Sequence, residues 1–189
     1  MYKAVIFDFF GVIRGEPYEA WLDAHGLKRE GVFLDIVRAM DRGMVSTEEF
    51  LQTLSNEVNE PSNVIMKDLN RGAVINDDVV ALIQNLRGSY TTGLLSNASM
   101  SIITPLLADH NLTDLFDEIV VSSDVGHIKP NPEIFEIMLE RLGIAADEAI
   151  FIDDNQSNVD GAEAVGIRGV VFTGAVQLGE DLQQLLQDG

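Results

Sequence analysis

Five short and almost uninterrupted apolar runs, alternating with helix-patterned stretches, limit what this chain can fold into more than any other feature. They are KAVIF (3–7), TTGLL (91–95), EIVVS (118–122), AIFI (149–152) and RGVVF (168–172). A strand with one wet face alternates apolar and polar residues, whereas a strand covered on both faces reads as a continuous apolar run. Helical patterns near 77–87, 99–109, 131–142, 156–165 and 178–187 separate the runs. That order predicts βαβ units and an α/β fold, a doubly wound and mainly parallel (Rossmann-like) sheet. A chain of 189 residues has ample length for such a core. Pro130 and Pro132 fit the start of the helix near 131–142, where a missing N–H is harmless.

Residues 14–76 break the alternation. They hold no convincing strand and read as three or four short helices. One begins with STEE, in which Ser46 caps and Glu49 reaches back. The expected organisation is therefore an α/β core from 1–13 and 77–189, with 14–76 a helical cap inserted after the first strand.

Four of the five runs end directly in polar groups: Asp8, then Ser96-Asn97, then Ser122-Ser123-Asp124, then Asp153-Asp154-Asn155. In a parallel sheet those ends share one edge, which is where open α/β folds bind ligands. Asp8 is the strongest nucleophile candidate, because a carboxylate can attack phosphorus and form an acyl phosphate that water cleaves. Asp8, Asp153 and Asp154 converging on one edge would repel one another unless a cation intervened. Hard oxygen donors favour Mg²⁺, which takes one or two carboxylates and keeps several waters.

Composition removes other classes. With 31 acidic and 12 basic residues the net charge is −19, and such a surface repels nucleic acid and anionic membranes at long range. Cysteine is absent, so thiolate zinc sites and a cysteine nucleophile are excluded. No run of eighteen apolar residues predicts a membrane span, and the apolar start is too short for a signal segment. The expectation is a cytoplasmic protein with a small-molecule partner, neither nucleic acid nor membrane.

Taken in order, VIFDFFGVI, GLLSNAS, SSDVGHIKPNPEIF and IFIDDNQSNVDGAEAVGI give a chain that resembles the haloacid dehalogenase superfamily. The largest branch of that superfamily is phosphatases with an aspartate nucleophile. The stretch DRGMVSTEEF resembles the small helical cap of one subgroup, which includes sugar-1-phosphate phosphatases and the N-terminal domain of soluble epoxide hydrolase. The resemblance implies Mg²⁺ on Asp8, Asp154 and the backbone carbonyl of Phe10, with Asp153 behind them or bound through water. It implies that Ser96 and Asn97 hold phosphoryl oxygens, that Lys129 supplies positive charge to nucleophile and phosphate, and that Asn158 supports the metal's surroundings. From the cap, Arg14 and Arg42 are candidates for substrate contact, with Glu16, Tyr18, Trp21 and Arg38 also in reach. His127 is close enough to Lys129 in sequence to line the entrance.

Phe10 departs from the pattern. The commonest phosphatases of the superfamily carry a second aspartate there, which protonates the leaving group. A phenyl ring cannot move a proton, although the Phe10 carbonyl can still bind metal. Three outcomes follow. The first is a Mg²⁺-dependent phosphatase acting on a small phosphorylated metabolite, sugar phosphates included, through an aspartyl-phosphate. The second is a 2-haloacid dehalogenase, which carries an aromatic residue at this position but generally lacks the paired acids Asp153-Asp154. The third is a non-catalytic relative that binds a metabolite or a protein. The otherwise intact set of Asp8, Ser96, Lys129 and Asp154 favours the first.

Overall fold

A computed structural model describes residues 1–71 and 73–188. The apolar runs form five parallel strands: β1 (Ala4–Phe7), β2 (Thr91–Ser96), β3 (Glu118–Val121), β4 (Ala149–Asp153) and β5 (Arg168–Val171). Their order across the sheet is β3-β2-β1-β4-β5. The strands end within a residue of the predicted runs, except that Ser122 opens a short helical turn, Ser122–Val125, instead of closing β3.

Side chains alternate faces along each strand, and so the sheet has two cores. Val5, Phe7, Leu94, Ile150 and Ile152 enter one cluster. Ile6, Leu95, Val120 and Phe151 enter the other. Against the first pack the helices Asp77–Leu86, Met100–Asp109 and Ala175–Asp188, through residues such as Ile83, Ile103 and Leu182. Against the second pack Pro132–Leu142 and Gln156–Ala164, through Ile134, Phe135, Met138 and Ala162. Phe7, Phe135 and Phe151 are fully buried, and each such side chain contributes about 1.5–3 kcal/mol over an exposed one. Both faces must therefore be covered, as the continuous apolar runs required.

Pro132 is the first residue of its helix. Pro130 is not part of it: it precedes the helix, joined to Lys129 by a cis peptide. The final helix starts at Ala175, three residues before the predicted position.

Between β1 and the helix at Asp77, the chain forms four helices: α1 (Pro17–Ala24), α2 (Val32–Asp41), α3 (Thr47–Val58) and α4 (Ser62–Asn70). The predicted capping box is present. Glu49 N–H donates to Ser46 Oγ at 3.1 Å, and Ser46 N–H donates to Glu49 Oε2 at 2.7 Å. These helices bury a cluster of their own, with Tyr18, Trp21, Leu22, Phe50, Leu54 and Ile65. Trp21 stacks on Tyr18 within that cluster and is 3% exposed, so the one tryptophan is a packing residue.

The chain leaves and re-enters the sheet through two paired segments. Gly15 N–H donates to Val74 O, and Asn76 N–H donates to Ile13 O. A single antiparallel bridge joins Arg14 and Ile75. A second tie comes from the far side, where the Ser122 hydroxyl donates to the backbone carbonyl of Asp41 at the end of α2.

Candidate active site

From β1 the chain runs to β2 and β3 on one side of the sheet, then returns to β4 and β5 on the other. The direction of winding reverses between β1 and β4, and the carboxyl ends of those two strands flank the crevice where such sheets bind ligands. Phe7 is in register with Ile152, and Asp8 N–H donates to Ile152 O at 2.9 Å. One further step along each strand brings Asp8 beside Asp153. Asp154 completes the group: the three residues each offer a carboxylate oxygen, all within 4.8 Å of one another.

Lys129 is buried among them. Its Nζ donates to Asp153 Oδ2 at 2.6 Å and to Leu95 O at 2.9 Å, and it lies 2.9 Å from Asp8 Oδ1. An ammonium has three hydrogens, and these three acceptors use them all. Burial acts to lower the Lys129 pKa, but Asp153 and Asp8 outweigh it and hold the group above its ordinary value. Asp153 is saturated as well. Asn158 Nδ2 donates to both of its oxygens at 3.0 Å, and Asn155 N–H donates to Oδ1 at 2.8 Å.

One ammonium does not balance three carboxylates. Burial pushes the Asp8 carboxyl well above the ordinary range, and Asp153 adds to this against the opposing pull of Lys129. Asp154 is raised for the same two reasons, burial and Asp153. A divalent cation would restore ionisation of both, and the donors present are the hard oxygens that Mg²⁺ prefers. Gly11 makes the approach possible. It sits at φ +85°, and a Cβ there would overlap the Asp154 carboxylate. The bare Cα thus lets Asp154 close on the Asp8–Gly11 turn, next to the Phe10 backbone.

Ser96 is fully buried, and its hydroxyl has no hydrogen-bond partner. Asn97 lines the cleft and also holds the Lys129 backbone. Its Nδ2 donates to Lys129 O at 2.9 Å while its Oδ1 accepts from Lys129 N–H at 2.8 Å. This reciprocal pair fixes the loop that carries Lys129. The polar end of β3 also serves the scaffold: besides its bond to Asp41, Ser122 Oγ accepts from Ala98 N–H at 2.9 Å, and Ser123 Oγ accepts from Met100 N–H at 2.8 Å.

Above these groups lies a cleft of about 640 Å³. Asp8, Phe10, Lys129, Asp154 and Asn158 line its floor, and Glu16, Glu19, Arg29, Arg38, Asp41 and Arg42 line it from the helical segment. Arg42 and Arg38 therefore face the site. Arg14 does not reach this cleft and lines a second cavity behind Phe10. Tyr18 is in that second cavity too, and His127 lines neither. Arg29 and Asp41 were not legible as site residues, because a lone charge in a loop or at a helix end has no sequence signature. Arg29 pairs with Glu19 at 2.9 Å. Two carboxyls of the cleft are raised mainly by burial and partly offset by Arg29: Glu16 to about 7 and Asp41 to about 6.

A five-stranded parallel sheet with aspartates at the ends of adjacent strands and a lysine between them defines a class of hydrolase. The haloacid dehalogenase-like hydrolase family model matches residues 2–166, and the chain belongs to that family. The chain is 28% identical to the sesquiterpene phosphatase astK of Aspergillus oryzae over 192 residues, covering 98% of this chain and 97% of that protein. It is 29% identical to the D-ribitol-5-phosphate phosphatase of Bacteroides thetaiotaomicron over 187 residues, covering 88% and 89%. A magnesium complex of a family enzyme from Bacteroides thetaiotaomicron superposes with TM-score 0.76 at 25% identity, over 90% of this chain and 93% of that one. Among the described residues no helix is long and apolar enough to cross a membrane.

Proposed function

We propose that the protein is a Mg²⁺-dependent phosphatase of small organic phosphomonoesters, with Asp8 as nucleophile. The observation that carries this reading is the cluster of Asp8, Asp153 and Asp154 around Lys129 at the winding reversal of the sheet. It is supported by full-length relatives named as phosphatases.

In this reading Asp8 and Asp154, with the Phe10 carbonyl, hold Mg²⁺, which when bound would neutralise phosphoryl oxygens and keep the carboxylates ionised. The other roles fall to the chain itself. An Asp8 oxygen attacks phosphorus, the bond from phosphorus to the ester oxygen breaks, and the alcohol leaves. Water then cleaves the aspartyl-phosphate and regenerates the carboxylate. Lys129 stabilises the charge on nucleophile and phosphoryl group, and the unpartnered Ser96 hydroxyl is free to donate to a phosphoryl oxygen. Asp153, saturated by Lys129, Asn155 and Asn158, keeps the lysine in place. Asn97 lines the same cleft and fixes the Lys129 loop. Arg42 and Arg38 supply positive charge from above.

Phe10 can donate no proton to the departing alcohol. Of the two carboxyls of the same cleft with raised pKa values, Glu16 at about 7 and Asp41 at about 6, Glu16 holds its proton to the higher pH and is the better donor. The carboxylate cluster also weighs against a halide-releasing enzyme that uses no metal.

The test is phosphate release from a broad panel of phosphomonoesters, with Mg²⁺ and with a chelator, run beside Asp8→Asn. The expected result is metal-dependent release that the variant loses. Absence of any metal-dependent release would overturn the reading.

A further inference from the structure

Beyond Phe10 lies a second, smaller cavity of about 130 Å³ between the helical segment and the helix Met100–Asp109. The two cavities share Phe10, Glu16, Arg29, Asp41 and Asn97, so they are neighbouring compartments with a common wall. The exposed wall of the smaller one is mainly hydrocarbon and aromatic, with Val37, Met40, Phe50, Met66, Leu69 and Ile102 prominent beside polar residues such as Thr47, Asn70 and Ser99. An engineered cavity of about 150 Å³ with comparable walls takes up benzene, so the available space matches an aromatic ring or a short branched alkyl group.

Two cations line this cavity; Arg29 is paired with Glu19, whereas Arg14 is not paired with any carboxylate among the described residues. Arg14 is 5% exposed and places its guanidinium carbon 5.8 Å from the centre of the Phe10 ring. Its recorded hydrogen bond is a long one, 3.4 Å from Nη2 to Asn70 Oδ1, and its Nε has no partner. Among the described residues no carboxylate lies within ion-pair distance of it. A buried guanidinium with unused donors loses favourable hydration without replacement. An oxygen on a bound ligand would supply what is missing.

We propose that this second compartment receives the alcohol portion of the substrate, and that the substrate is a phosphomonoester of a ring-sized or branched hydrophobic alcohol bearing one oxygen acceptor for Arg14. The proposal rests on the phosphatase reading and names its substrate class. A polyol would bring hydroxyls against the stretch of wall formed by the side chains of Val37, Met40, Phe50, Leu51 and Ile102, which offers no partners, and buried hydroxyls without partners are unfavourable. Phe10 then has a positive role: its ring is the wall common to both compartments, where an aspartate would set a charge beside the apolar group.

The experiment compares kcat/KM in Mg²⁺ for benzyl phosphate and 3-methylbutyl phosphate against methyl phosphate, glycerol phosphate and a pentitol phosphate. It is paired with calorimetric binding of benzylphosphonate and methylphosphonate, which needs no turnover. The apolar esters are expected to exceed the others by at least about tenfold, in keeping with what one or more methylenes contribute in a hydrophobic pocket. Benzylphosphonate should bind at least about tenfold tighter than methylphosphonate. Ile102→Trp fills the compartment from the sheet side and should erase both preferences; Met66→Trp does so from α4 if the first variant fails to fold. Arg14→Met should lower the advantage of 4-methoxybenzyl over benzyl phosphate. Polyol esters turned over as well as the apolar ones, with the two phosphonates bound alike, would overturn the assignment and leave the phosphatase reading intact. Benzylphosphonate preferred but no ester cleaved would uphold the compartment and sink the phosphatase reading.

Discussion

The Asp154 carboxylate rests against the bare Cα of Gly11, in space that any side chain at position 11 would occupy. The turn after Asp8 and the end of β4 are therefore fitted to each other by a missing methyl group. Gly11→Ala should displace Asp154 and strain a backbone held at φ +85°. The expected effect is Mg²⁺ binding weakened by about 10–100-fold, the range seen when a ligand's support is removed. Calorimetric Mg²⁺ titration checks it, and an unchanged affinity would mean that Asp154 does not hold the ion.

Lys129→Met keeps the length of the side chain and removes its charge. Asp8 and Asp153 are then buried without a cation, a loss of about 3–5 kcal/mol when one partner of a buried pair is deleted. Urea unfolding should show that decrease. Adding Asp8→Asn should recover part of it, because one of the stranded carboxylates has gone.

Glu16 titrates near 7 in the folded protein because burial disfavours its charge, with Arg29 opposing and Asp154, Glu19 and Asp41 adding to the shift. In the unfolded chain it titrates near its ordinary value of 4.5. The folded state thus binds more protons between these two values, and wild-type stability falls as pH rises from about 4.5 to about 7. Glu16→Gln lacks this contribution. Thermal unfolding should show the variant gaining on the wild type across that window, with the largest advantage above pH 7 and the smallest below pH 4.5.

Phe10→Asp restores a carboxyl two residues after the nucleophile. General acid catalysis is worth about 10²–10⁴-fold, so kcat on small phosphomonoesters should rise at least tenfold. Equal rates would show that proton delivery does not limit turnover.

The sheet was legible because burial on both faces leaves little choice of residue in a strand, and βαβ alternation then fixes its direction. The convergence of Asp8 with Asp153 and Asp154 followed from their places at strand ends. What sequence could not supply was the fate of each polar side chain after packing. Asn97 reads as a phosphate ligand, and sequence gives no sign that its amide also holds the Lys129 backbone; Ser122 gives no sign of its bond to Asp41. Arg14 sits six residues from Asp8 yet lies in the other compartment, because the turn through Gly11 and the bridge to Ile75 carry it behind Phe10. The last helix starts three residues before its predicted position, and Gln177 Oε1 accepts from Thr173 N–H at 3.1 Å to cap it from within.

The two segments that connect sheet and helices run side by side at Gly15–Val74 and Ile13–Asn76, and they begin where the Asp8 turn ends. A tilt of the four helices is therefore expected to reach the nucleophile's own loop as well as the substrate's surroundings. Reshaping the helices to admit a different molecule should then move the reactive carboxylate too.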